Sequence, residues 1–130
     1  MKVLLVNKFL YRKGGAETYV LNLGKILTDS GHTVEYFGTE NPKNTVGNKS
    51  GLYVKNMDFG SGILKNILAP FRIIYSREAY KKILRLLYDF RPDVVHFNNI
   101  QFHLTPSMIL AVQKNRKKTE KHIDSYNFYV

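Results

Sequence analysis

Two adjacent glycines, Gly14 and Gly15, separate an opening apolar run from the start of a helical pattern. Lys8, Arg12 and Lys13 lie just ahead of them and Glu17 just behind. A residue without a Cβ lets a ligand approach the backbone closely, and a helix N-terminus presents unpaired N–H groups that favour anions. These residue types at this spacing suit contact with a phosphate group. They equally describe a tight turn beside solvated lysines, because the pattern is neither a G-x-G-x-x-G fingerprint nor a P-loop. The Glu17 carboxylate would repel a phosphate unless it turned away, toward a sugar hydroxyl.

A second group follows the run Asp93-Val94-Val95-His96-Phe97. His96 ends this apolar segment, and open α/β sheets bind ligands at the C-terminal ends of their strands. It is either a ligand-facing imidazole or a histidine hydrogen-bonded within the core. Asn98, Asn99 and His103 come next and can hydrogen-bond a polyol. His96 and His103 have no carboxylate at helical spacing, so no metal site is expected. The chain has no Cys, which excludes disulfides, thiol catalysis and Cys-type zinc sites.

The elements that must position these residues are legible from periodicity. Residues 2–7 are apolar without alternation, as in a strand buried on both faces of a parallel sheet. From Ala16 a helical pattern places Tyr19, Val20, Leu23, Ile26 and Leu27 on one face, and Gly31 ends it. His32 to Gly38 reads as a strand with Val34 and Tyr36 alternating against Thr33 and Glu35. Strand, helix and strand form a βαβ unit. Residues 39–51 are a polar loop, 52–57 a short strand and 59–62 a flexible stretch. A helical region opens at Ile63, and Pro70 is expected to end or kink it. A second amphipathic helix spans Ser76 to Phe90, with Tyr80, Ile83, Leu84 and Leu87 inward and Arg77, Lys81, Lys82 and Arg85 outward. After the strand at 93–97, Thr105-Pro106-Ser107 starts a helix that runs through Val112. The pattern degrades from Gln113 onward.

At 130 residues and 44% hydrophobic content the chain suits one domain with a true core. The formal net charge is +10, from 20 basic and 10 acidic residues. That excess favours anionic partners, or reflects solvated surface lysines. No single arm concentrates it, so nucleic acid is not an expected partner. The basic helix face is either a solvated outer face or a surface for an anionic membrane. No apolar stretch approaches the ~20 residues needed to span a bilayer. The expected location is cytoplasmic, with at most a peripheral contact at the inner face of the membrane.

Three segments together resemble glycosyltransferase family 4 proteins: Lys2 to Phe9, Gly14-Gly15-Ala16-Glu17-Thr18-Tyr19-Val20 with Leu27 through Val34, and Arg91-Pro92-Asp93-Val94-Val95-His96-Phe97-Asn98-Asn99. Leu104 to Ser107 resembles the helix start that follows in the family. The resemblance covers roughly residues 1–112 and leaves 113–130 as a divergent or truncated tail. It implies an α/β, Rossmann-like open parallel sheet with helices on both faces, the N-terminal half of a two-domain GT-B fold. It also implies retaining transfer from a nucleotide-sugar, which is substrate rather than cofactor, to a glycan, lipid or polysaccharide acceptor.

By the same resemblance Gly14 and Gly15 contact the donor diphosphate. Glu17, Arg12, Asn98 and Asn99 fall on the acceptor side, and His96, which matches the histidine ending the family's fourth-strand region, is the catalytic candidate. Asn98 stands where the family often has a second histidine. His122 would answer to the histidine of a His-Asp pair, but Ile123 separates it from Asp124. Two such domains need roughly 250–300 residues. The expectation is therefore a truncated enzyme domain, inactive alone. The alternatives are an acceptor-binding subunit completed by a separately encoded donor domain, or a basic module for anions or membranes.

Overall fold

A computed structural model describes residues 1–55, 69–99 and 107–120. Strand β1 (Lys2–Val6), helix α1 (Gly15–Asp29), strand β2 (Thr33–Phe37), helix α2 (Ala69–Phe90), strand β3 (Val94–Phe97) and helix α3 (Ser107–Glu120) follow in chain order. The three strands are parallel in the order β2-β1-β3, with Leu5 opposite Tyr36 on one side and His96 on the other.

The central place of β1 explains its unbroken apolar run. Leu4 and Val6 pack with Phe37, Val95, Ile83, Leu86 and Met108. Val3 and Leu5 pack on the opposite face with Leu10, Val20 and Tyr36. A strand covered on both faces has no polar side to present, so alternation is absent. The sheet is thus a Rossmann-like α/β arrangement, as expected.

Helix α1 is preceded by its N-cap Gly14, whose backbone is extended, and followed by its C-cap Ser30. Gly31 has φ +87°, its N–H donates to Thr28 O, and His32 N–H donates to Leu27 O. This Schellman arrangement satisfies two terminal carbonyls, and the positive φ requires glycine. The buried stripe of α1 is narrower than its pattern suggested: Tyr19 is 53% and Ile26 61% exposed. Both lie one residue, about 100° of helix rotation, off the Val20–Leu23–Gly24–Leu27 line.

At Gly24 the helix sits directly on Tyr36, whose hydroxyl oxygen would overlap a Cβ placed there. Burial raises the Tyr36 hydroxyl pKa above its ordinary value. Gly24→Ala gains helix propensity of about 1 kcal/mol but overpacks this contact at a cost of about 2 kcal/mol. A net loss near 1 kcal/mol is expected in a thermal or urea melt, and an unchanged or raised melting point would contradict this packing.

Several elements differ from the sequence reading. The alternation in β2 does not divide a buried face from a solvated one: Glu35 is only 5% exposed and Tyr36 8%, because β2 is covered on both faces. The strand expected over 52–57 is, in its described part, a single bridge between Thr39 and Val54. Residues 39–55 instead strap the outer edge of β2. Tyr36 N–H donates to Gly47 O at 3.0 Å, and Val54 N–H to Gly38 O at 2.9 Å. Asn48 knits the strap, donating to Tyr36 O and Leu52 O and accepting from Leu52 N–H. Unpaired strand edges recruit other chains, and this strap covers one.

The helix expected from Ser76 begins at Ala69. Pro70 therefore lies in its first turn, where a missing N–H costs no intrahelical bond. Helix α2 ends where Arg91 takes a left-handed φ of 51° before Pro92. Helix α3 continues past Val112 to Glu120. Gln, Lys, Arg and Glu are good helix formers, so the polar stretch extends the helix although its apolar pattern has stopped. The stretch at 59–62, the helix opening at Ile63, the start at Thr105–Pro106, and residues 121–130 lie outside the described residues.

Candidate functional site

The C-terminal ends of β1 and β3 and the N-terminus of α1 converge, and a polar network ties them together. Its hub is Asn7, 0% exposed. The Asn7 side chain donates to Phe9 O at 2.7 Å and accepts from Asn98 Nδ2 and from Asn99 N–H, both at 3.1 Å. Lys8 N–H donates to Asn99 O at 2.8 Å. Lys8 O accepts in turn from the Thr39 hydroxyl at 2.7 Å. The loops after β1, β2 and β3 are therefore one bonded unit.

Gly14 and Gly15 lie exposed where α1 starts, beside this network. Neither has a positive φ, so backbone conformation does not demand glycine at either position. A Cβ on Gly15 would meet nothing within 4 Å, and one on Gly14 would sit 3.2 Å from Glu17 Oε2. Gly14 supplies no side-chain cap, which leaves the first-turn N–H groups of α1 without the partner that an N-cap side chain usually provides.

Glu17 is 5% exposed, with Oε1 at 3.5 Å from Asn99 Nδ2. The structure therefore brings Gly14, Glu17 and Asn99 together. Asn98 joins them as a brace: its Nδ2 also donates to Ala16 O at 3.1 Å, so both amide hydrogens are engaged within the fold. His96 is half-buried on the α1 face of β3, with its ring centre 6.4 Å from that of Tyr19. Arg12 is exposed on the loop before Gly14. Beside it, Lys13 lies 3.7 Å and Lys8 4.9 Å from the centre of the Phe9 ring. His103 and His122 lie outside the described residues.

The sequence reading missed Asn7. Its only signal was a polar residue closing an apolar run, which also marks a plain strand end. On the outer face of α2, Lys82 pairs with Glu78 and Arg85 with Asp89, and Lys82 also donates to Tyr53 O. Two of the four cations there are thus balanced, whereas Arg77 and Lys81 are exposed. Among the described residues no helix is long and apolar enough to cross a membrane.

A family profile, Glycosyltransferase Family 4, matches residues 13–119. The chain belongs to glycosyltransferase family 4. In this family 4 domain the match takes in Gly14, Gly15, Glu17, His96, Asn98 and Asn99, and Arg12 lies one residue ahead of it. It also runs beyond Val112 into the polar part of α3. No curated protein and no solved structure matches the chain. A glycosyltransferase-like function follows from the family.

Proposed function

We propose that this domain is the acceptor-side half of a retaining glycosyltransferase. The sugar moves from a nucleotide-sugar to a glycan, lipid or polysaccharide acceptor, and the domain alone turns nothing over. The carrying observation is Gly15. No backbone angle and, among the described residues, no neighbour requires glycine there, which leaves the position open to something that approaches from outside. The leaving diphosphate of a nucleotide-sugar is such a group. Uncapped N–H groups and the positive end of the α1 dipole stabilise charge developing on it.

Glu17, held against Gly14, faces the sugar and acceptor hydroxyls together with Asn99. Asn98 braces this wall rather than binding through its amide hydrogens. Arg12 lies at the acceptor-side rim, and His96 supplies an imidazole from β3. His122 keeps only its family-derived candidacy. A donor domain, on a longer or separate chain, would form the opposite wall. The domain works at the cytoplasmic side of a membrane when its acceptor is lipid-linked.

The test uses inorganic pyrophosphate as a stand-in for the donor diphosphate, titrated into the ¹⁵N-labelled chain. Saturable shifts are expected at the amides of Gly14 to Glu17. Gly15→Leu should weaken them about tenfold by occluding the approach, while changing stability by no more than about 0.5 kcal/mol. Shifts elsewhere only, or a Gly15→Leu chain that binds unchanged, would count against the reading. Turnover by the isolated chain with nucleotide-sugars would remove the claim of inactivity.

A further inference from the structure

Along the outer edge of β2 the strap stands off from the strand and leaves a groove of about 460 Å³. Val34, Glu35, Asn44, Val46, Lys49 and Tyr53 are among its walls. Of these six, only Asn44 touches the network at the strand ends, through Thr39. Glu35 Oε2 and Asn44 Oδ1 are buried side-chain oxygens with no hydrogen-bond partner, and among the described residues they are the only two. The Asn44 amide nitrogen donates to Thr39 O at 2.9 Å, which settles which end of that side chain is the idle acceptor. None of the three ion pairs among the described residues involves Glu35.

A buried carboxylate oxygen without a donor is costly, and native folds rarely leave one. Here two acceptors lacking donors belong to the walls of one groove, beside an aromatic ring and two valines. A partner that reached both oxygens would be rich in N–H donors and positively charged, with an apolar body. A ring face attracts cations as well. A chelated divalent ion fits poorly, because no cluster of three His, Cys, Asp or Glu occurs among the described residues. We propose that this groove binds a small organic ammonium ion, its nitrogen on Glu35 and its alkyl part against Tyr53, Val34 and Val46. Neither oxygen opens into the groove in this conformation, so binding includes a rotamer change of the Glu35 side chain. Lys49 is the internal competitor, a cation on the same groove that the strap could turn inward.

The ¹⁵N-labelled full chain is titrated with n-butylammonium chloride, with n-butanol as the neutral isostere and potassium chloride as the salt control. Saturable shifts at Val34, Val46, Gly47 and Asn48 are expected for the ammonium alone. Glu35→Gln should weaken binding about tenfold, since it removes one partner of a buried charge pair. Lys49→Met should leave binding equal or tighter. Equal shifts with butanol or with potassium chloride, or no saturable shifts, would overturn the proposal. So would a Lys49→Met chain that loses stability and gains no affinity, because Lys49 would then be the native partner of Glu35. If Glu35→Gln fails to fold, the contrast between ammonium and alcohol on the unmodified chain decides alone.

Discussion

Gly38→Ala is expected to lower the unfolding free energy by about 3 kcal/mol, the upper part of the range for overpacking a filled interior. Gly38 lies just beyond β2, and a Cβ there would overlap the backbone carbonyl oxygen of Asn7. It would also stand 2.9 Å from Leu10 Cγ and 3.1 Å from Leu10 Cδ2. A side chain in the way can swing aside, but a carbonyl at the end of the central strand cannot move without its strand. The φ of Gly38 is not positive, so the cost is purely spatial. Urea denaturation of the purified variant measures it. A loss below about 0.5 kcal/mol would mean that β1 and the β2 exit are not packed as described. Gly15→Ala is the matched control, since its new methyl group meets nothing.

The second large effect is expected at Asn7. Asn7→Ala leaves Phe9 O without its donor, and one Asn98 Nδ2 hydrogen and the Asn99 N–H without their acceptor, while Asn98 keeps its bond to Ala16 O. Orphaned buried groups cost about 1–3 kcal/mol each. Local relaxation and water entry offset part of that, and a total near 3 kcal/mol is expected. Stability alone would not distinguish this network from any buried polar residue, so hydrogen exchange supplies the sharper readout. The Asn99 amide, which donates to Asn7 Oδ1, should exchange much faster in the variant, whereas amides in the middle of α2 should follow only the global loss. Unchanged protection at Asn99 would show that Asn7 does not hold the β3 exit. Because Asn99 approaches Glu17, the variant should also loosen the proposed acceptor wall.

These two residues mark the limit of what local pattern can reveal. Gly31 was readable as a helix stop because its requirement, a positive φ, is set by the residues immediately before it. Gly38 was read only as the end of a strand, since its constraint comes from Asn7, which is far off in sequence. The Gly14-Gly15 pair was legible as the turn into α1, but neither residue has the positive φ that would demand glycine, and of the two only Gly15 has open space where a Cβ would stand. The burial of Glu35 was not legible because alternation alone does not say whether the polar face is solvated, and the strap and the second layer cover that face.

The sequence by itself determined the apolar run of β1, the α1–Gly31 stop, the β3 segment and the family-bearing Gly14-Gly15-Ala16-Glu17 turn. Each of these depends on backbone preference or burial pattern within a few residues. Only the tertiary structure decided the strand order β2-β1-β3, the burial of Glu17 and Glu35, and the joining of Asn7 to Asn98 across 91 residues. A hydrogen bond between distant residues leaves no periodic trace in either segment, so the partners become visible only when the chain has brought them together.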